Sequence, residues 1–185
     1  MKNYRYLIIG FTLFMLAGCN PPKAFQMESF SFTNQNEEKF GTEELKGKVW
    51  IADFIFTSCD TICPPMTASM VTLQKKFKEE EIDVEFVSFS VDPTVDTPQK
   101  LKAYLKNFSD DDSNWNMLTG YSQEEIETFA REEFQTLVQK PETSNQVIHG
   151  SDFILVNQNG EIVDTYSFIQ GDSTDDLIKD VNRLF

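Results

Sequence analysis

Cysteine and histidine are scarce in this chain, and where they stand decides what chemistry it can do. Among 185 residues there are three cysteines and one histidine: Cys19, Cys59, Cys63 and His149. Cys59 and Cys63 share the segment Thr57-Ser58-Cys59-Asp60-Thr61-Ile62-Cys63-Pro64, with three residues between the thiols. In an oxidising compartment, two thiols so placed form a disulfide, a metal site or a redox couple that visits both states.

The N-terminus indicates the compartment. Lys2 and Arg5 precede an apolar run from Tyr6 to Leu16, short for a bilayer-spanning helix, which ends in Leu16-Ala17-Gly18-Cys19. A charged head, a hydrophobic middle and small residues before the cut are the parts of a signal peptide. The tetrapeptide resembles the lipobox of bacterial lipoproteins, in which the Cys receives a diacylglycerol and becomes the first residue. Residues 1–18 are therefore expected to be a lipoprotein signal peptide and Cys19 the lipidation site. Residues 19–24, with Pro21 and Pro22, would form a lipidated tether, and 25–185 one domain, as the length suggests. The domain would face the extracytoplasmic side of a bacterial cell membrane; an uncleaved anchor or a plain secreted chain would place it outside the cytoplasm as well. The formal net charge is −14, and setting aside the first eighteen residues removes Lys2 and Arg5 and no acid, leaving −16. Such a surface repels nucleic acid and anionic headgroups, so neither is an expected partner; the acidity reads as solubility, and a monomer is expected.

The elements that must position the thiols follow from hydrophobic pattern. Val49 to Phe56 is a near-continuous apolar run of strand length, covered on both faces, with Asp53 as its one oddity. Beyond the cysteines, Met66, Met70, Leu73 and Phe77 recur at helical spacing, so the thiols lie at a strand-to-helix junction. Val84 to Val91 reads as a second buried strand, and Asp96-Thr97-Pro98 opens a helix with Leu101, Tyr104, Leu105 and Phe108 on one face. Ser122 and Glu125 make a capping box ahead of Ile126, Phe129 and Ala130. Phe153–Val156 and Ile162–Phe168 flank the turn Asn157-Gln158-Asn159-Gly160 as an antiparallel hairpin, and a last helix carries Leu177, Ile178, Val181, Leu184 and Phe185 on one side. Seventeen Phe imply an aromatic-rich core.

Strands alternating with helices, then a hairpin and a terminal helix, predict an α/β, thioredoxin-like fold with a mixed central sheet flanked by helices. Function in open α/β sheets lies beyond the carboxyl ends of the strands, which is where the Cys loop falls. A helix start favours thiolate over thiol. With Cys63 inside the helix and Cys59 at its mouth, the four-residue spacing brings both sulfurs to one side, an arrangement suited to a soft ion such as Cu(I).

The chain resembles the SCO/SenC family of copper-binding thioredoxin-like proteins over nearly the whole mature domain. The likeness is carried by the Cys-x-x-x-Cys-Pro loop at Cys59–Pro64, by Ser90-Val91-Asp92-Pro93 with Asp96-Thr97-Pro98, and by Val147-Ile148-His149. It implies that Cys59, Cys63 and His149 ligate copper, and that the protein assists the binuclear copper centre of cytochrome c oxidase, with that enzyme's copper-bearing subunit as partner. Thioredoxin-like oxidoreductases typically have a cis-proline at the position where this chain has His149-Gly150-Ser151-Asp152, so an imidazole there would complete two sulfurs and a nitrogen able to hold Cu(II) in a tetragonal field. A fourth position is left for water or for Asp92, which reads equally as a turn-forming Asp-Pro carboxylate. Asp60 is expected to face solvent. A thiol-disulfide reductase that keeps the oxidase's cysteines reduced is the alternative, and it needs Cys59 and Cys63 but not His149. A thiol peroxidase lacks a clear signature around Cys59, and a closed zinc site lacks a fourth strong ligand.

Overall fold

In the computed structural model, which describes residues 27–169 and 173–185, the chain begins with β1 (Ser31–Thr33), β2 (Lys39–Gly41), α1 (Thr42–Leu45), β3 (Val49–Ile55) and α2 (Cys63–Glu79). It continues through β4 (Val84–Ser90), α3 (Pro98–Lys106), β5 (Trp115–Leu118), α4 (Gln123–Glu133), β6 (Val138–Gln139) and β7 (Ile148–His149). It closes with β8 (Asp152–Val156), β9 (Ile162–Ser167) and α5 (Thr174–Asn182). The expected signal peptide, Cys19 and the tether lie outside the described residues, among which no helix is long and apolar enough to cross a membrane.

Five strands form the central sheet in the order β5-β4-β3-β8-β9. β3 pairs parallel with β4 and β4 with β5, whereas β8 runs antiparallel to both β3 and β9. This is the mixed, thioredoxin-like sheet expected from the pattern. All seven residues of β3 and of β4 are buried, as apolar runs covered on both faces must be.

Alternation divides β3 between two layers. Trp50 and Phe54 join an aromatic layer: Phe54 stacks on Phe89 at 5.4 Å, and Phe134, just after α4, meets both rings edge-on or tilted. Phe30, Phe32 and Phe129 extend the layer, so the phenylalanine-rich composition is core, each fully buried ring contributing about 1.5–3 kcal/mol. The other face presents Ile51, Asp53 and Ile55, and α2 buries the expected Met66, Met70, Leu73 and Phe77. The helix starts also follow the sequence. Thr97 caps α3 by accepting from the Lys100 amide ahead of Pro98, and Ser122 and Glu125 cap α4 reciprocally. In the β8–β9 turn, Asn157 Oδ1 accepts from the amides of Asn159 and Glu161, and Gly160 takes φ +77°.

The structure adds elements to the pattern reading and corrects one expectation. The strands β1, β2, β5, β6 and β7 span two to four residues, too short for a periodic signal, and the pattern did not foretell them. Phe185 does not share the buried side of the last helix: α5 ends at Asn182, and beyond it helical spacing no longer fixes direction. Leu177 and Val181 are buried and Ile178 and Leu184 partly so, but Phe185 is 64% exposed.

Candidate metal centre

β3 runs out at Ile55, and the loop after it carries Cys59 to the mouth of α2, of which Cys63 is the first residue. An α-helix starts with amides that have no intrahelical partner. Here Pro64 and Pro65 have no N–H, and the Met66 amide already donates to the Ile62 carbonyl, which leaves the Cys63 amide. It donates to Cys59 Sγ at 3.4 Å, so the sulfur caps the helix. The two thiols thereby become unequal. Burial pushes the Cys59 thiol up, but hydrogen bonds from the Cys63 side chain and amide and from Thr61 outweigh it and hold Cys59 below the ordinary thiol value. Cys63, fully buried, is pushed far up by that burial, and the bond that lowers Cys59 acts on Cys63 in the same upward direction. The helix start therefore favours a thiolate at Cys59 alone. Both cysteines are free thiols, and Asp60 between them is exposed, as expected.

His149 arrives from the opposite side. It belongs to the small β6–β7 sheet, where Val138 pairs with His149 and Gln139 with Ile148. Gly150, just after β7, lies so close to Thr136 that a methyl group there would displace the Thr136 hydroxyl. The imidazole packs edge-on against Phe56, with ring centres 5.6 Å apart. Its Nδ1 lies 2.7 Å from the Gly150 carbonyl, which only accepts, so Nδ1 carries the proton and Nε2 keeps its lone pair. Burial pushes the imidazole below its ordinary value, partly offset by that carbonyl, which keeps the ring neutral at pH 7. The Nε2 so prepared faces Cys63 Sγ at 3.5 Å.

The donor atoms of Cys59, Cys63 and His149 all lie within 4.8 Å of one another, and the three form the one such cluster of metal-capable groups among the described residues. One lowered thiol, one buried thiol and a neutral imidazole suit a thiophilic ion that also accepts nitrogen, and copper fits that description. Asp92, expected as a candidate for the fourth position, is not in this cluster. Its Oδ1 accepts from Lys140 Nζ at 2.6 Å and from Thr94 Oγ1 at 2.9 Å, so the carboxylate is engaged elsewhere.

Three neighbours have parts that the pattern reading did not assign. Asp96, 1% exposed, accepts from the Thr57 amide at 3.1 Å, the Thr57 hydroxyl at 2.5 Å and the Ser90 hydroxyl at 2.6 Å, fixing the loop two residues before Cys59. Lys140 had no signal at all, since a lysine in a polar stretch reads as surface. Asp53 did show as a charge inside an apolar strand. It is fully buried, neither oxygen has a hydrogen bond of ordinary geometry, and burial pushes its carboxyl up to about 7, with only partial relief from the neighbouring Ser88.

The SCO1/SenC family model matches residues 20–185. The chain belongs to the SCO1/SenC family. Among family relatives, the SCO1 protein homolog of Bacillus subtilis (strain 168) is 47% identical over 186 residues, covering 98% of this chain and 96% of that protein. The crystal structure of a SCO1/SenC family lipoprotein from Bacillus anthracis str. Ames superposes with a TM-score of 0.84 at 54% identity, covering 90% of this chain and 99% of the other. That of Arabidopsis thaliana ScoI with copper bound gives a TM-score of 0.72 at 29% identity, over 86% and 99% of the two chains. The site therefore sits on a family fold that, in one relative, has been seen holding copper.

Proposed function

We propose that this SCO1/SenC protein carries copper on Cys59, Cys63 and His149 and delivers it to the copper-bearing subunit of cytochrome c oxidase during assembly of the binuclear centre. The observation that carries the reading is the convergence of two sulfurs and an unprotonated imidazole nitrogen within 4.8 Å. The copper in the Arabidopsis relative and the description of the Sco family as cytochrome c oxidase assembly proteins support it. Copper is cargo: two thiolates suffice for Cu(I), and the imidazole completes a set for Cu(II). The residues' own part is to make Cys59 easier to ionise than an ordinary thiol and to keep the Nε2 lone pair turned to the site, whereas Cys63, which burial keeps protonated, would release its proton only to the metal. The lipobox-like Leu16-Ala17-Gly18-Cys19 supports lipidation at Cys19 and a domain tethered on the extracytoplasmic face of a bacterial membrane, where such a partner would be met.

The test is a titration of the reduced full chain with Cu(II) and with Cu(I), repeated on His149→Ala. One-to-one Cu(II) binding with a sulfur-to-copper absorption that weakens sharply in the variant is the expected result. No stable copper adduct, with disulfide exchange indifferent to His149, would sink it and leave a dithiol reductase.

A further inference from the structure

We propose that the Lys140–Asp92 ion pair is a clamp that presents His149 to the two sulfurs, so that both residues set the affinity for Cu(II) without touching the metal. The inference rests on the copper site proposed above.

The need for a clamp comes from the hairpin. β6 and β7 have two residues each and pair only with one another. So short a ribbon has little stability of its own, and something outside it must hold its position. Lys140 directly follows β6. Its amide donates to Glu127 Oε1 of α4 at 2.9 Å, and its Nζ donates to Asp92 Oδ1 at 2.6 Å and to Thr94 Oγ1 at 3.0 Å. The Asp92 side chain is 3% exposed and that of Lys140 24%, so the pair is largely shielded from water and salt. Without Lys140, Asp92 would be a buried carboxylate left with the Thr94 hydroxyl and no opposite charge, whereas Lys140 without Asp92 keeps Thr94 and partial access to water.

Asp92 can serve as the fixed jaw because its own turn is closed. Its amide donates to Ser90 Oγ at 3.2 Å, and its carbonyl accepts from the amides of Val95 and Asp96 at 3.0 and 2.9 Å. The same turn supplies Asp96, whose carboxylate grips Thr57 on the cysteine loop. One short segment thus holds both halves of the site, the dithiol through Asp96 and the imidazole through Asp92 and Lys140. Lys140 and Asp92 are positioning residues.

Copper chemistry separates this role from a general structural one. Cu(I) is content with two thiolates, whereas Cu(II) needs the nitrogen. Loosening the hairpin should weaken Cu(II) binding and spare Cu(I). The experiment compares the reduced full chain with Lys140→Met, Asp92→Asn and the double variant, titrating Cu(II) by its sulfur-to-copper absorption and Cu(I) by competition with a chelator. Each single variant is expected to lose about 10- to 100-fold in Cu(II) affinity, the size usual for residues that orient a ligand from behind. The double variant should lose no more than the worse single, as partners in one interaction do. Cu(I) affinity should stay at the wild-type value in all three, which also shows that the dithiol end is folded. Unchanged Cu(II) binding in Lys140→Met, additive losses in the double variant, or equal losses for both oxidation states would overturn the clamp while the copper site stands. A wild-type chain that takes up neither ion would overturn the copper site and the clamp with it.

Discussion

Cys59 and Cys63 stand in the loop and at the helix start that follow β3, whose seven residues are all buried and which pairs with β4 on one side and β8 on the other, whereas His149 stands in a two-stranded ribbon of two residues per strand. The cysteine side is anchored by the aromatic layer, by the start of α2 and by the Asp96 network; the histidine side hangs on Lys140, Glu127 and the close approach of Gly150 to Thr136. The difference teaches that the two kinds of donor answer to different forces. The sulfurs are placed by the fold's main burial energy, and the imidazole by a small apolar patch of Val138, Val147 and Phe56 together with a few polar contacts.

Three measurements would break or sharpen the contrast. The largest effect belongs to the aromatic core packed on β3. Phe54→Ala should lower global stability by about 3–5 kcal/mol in urea denaturation, whereas Val138→Ala in the ribbon, which removes two buried methyl groups, should cost about 2 kcal/mol and also lower Cu(II) affinity. Comparable losses in stability would show that the ribbon belongs to the same cooperative unit as the sheet.

Next comes Asp53, on the rigid side. Its carboxyl is raised from 3.8 to about 7 on folding, so the folded chain keeps a proton that the unfolded chain releases first. The stabilising contribution is fully present below about pH 4 and is lost as pH rises through 7, a change of roughly 4 kcal/mol. Asp53→Asn should flatten that part of the stability–pH curve and gain stability at pH 8, as followed by denaturation across pH 4–9. An unchanged slope would mean that Asp53 does not keep its proton in the folded chain.

The smallest effect is chemical. Cys59 lies below the ordinary thiol value and Cys63 far above it, so a small alkylating agent at pH 7 should label Cys59 first, identified by mass spectrometry of the peptides. Equal labelling would show that the capping of α2 by sulfur does not persist in solution.

The long buried strands, the amphipathic helices and the caps at Thr97 and Ser122 were legible because each depends on neighbours in sequence, and periodicity or capping chemistry reports such neighbours directly. Cys59, Cys63 and His149 were legible as candidates because reactive residue types are rare here. Asp53 was visible as a misfit, and its lack of a partner was not, since that depends on what packs around it.

Sequence alone determined the residue types of the site, the strand-to-helix junction that holds the dithiol and the apolar pattern that builds the sheet. Tertiary structure alone decided that His149, 86 residues from Cys63, turns its Nε2 to that sulfur, that Asp92 is held by Lys140 instead of joining the donors, and that the two thiols differ. The physical reason is range. Hydrophobic period and helix capping act over a few residues, whereas ligand convergence, ion pairing and desolvation depend on which distant segments the completed sheet brings together.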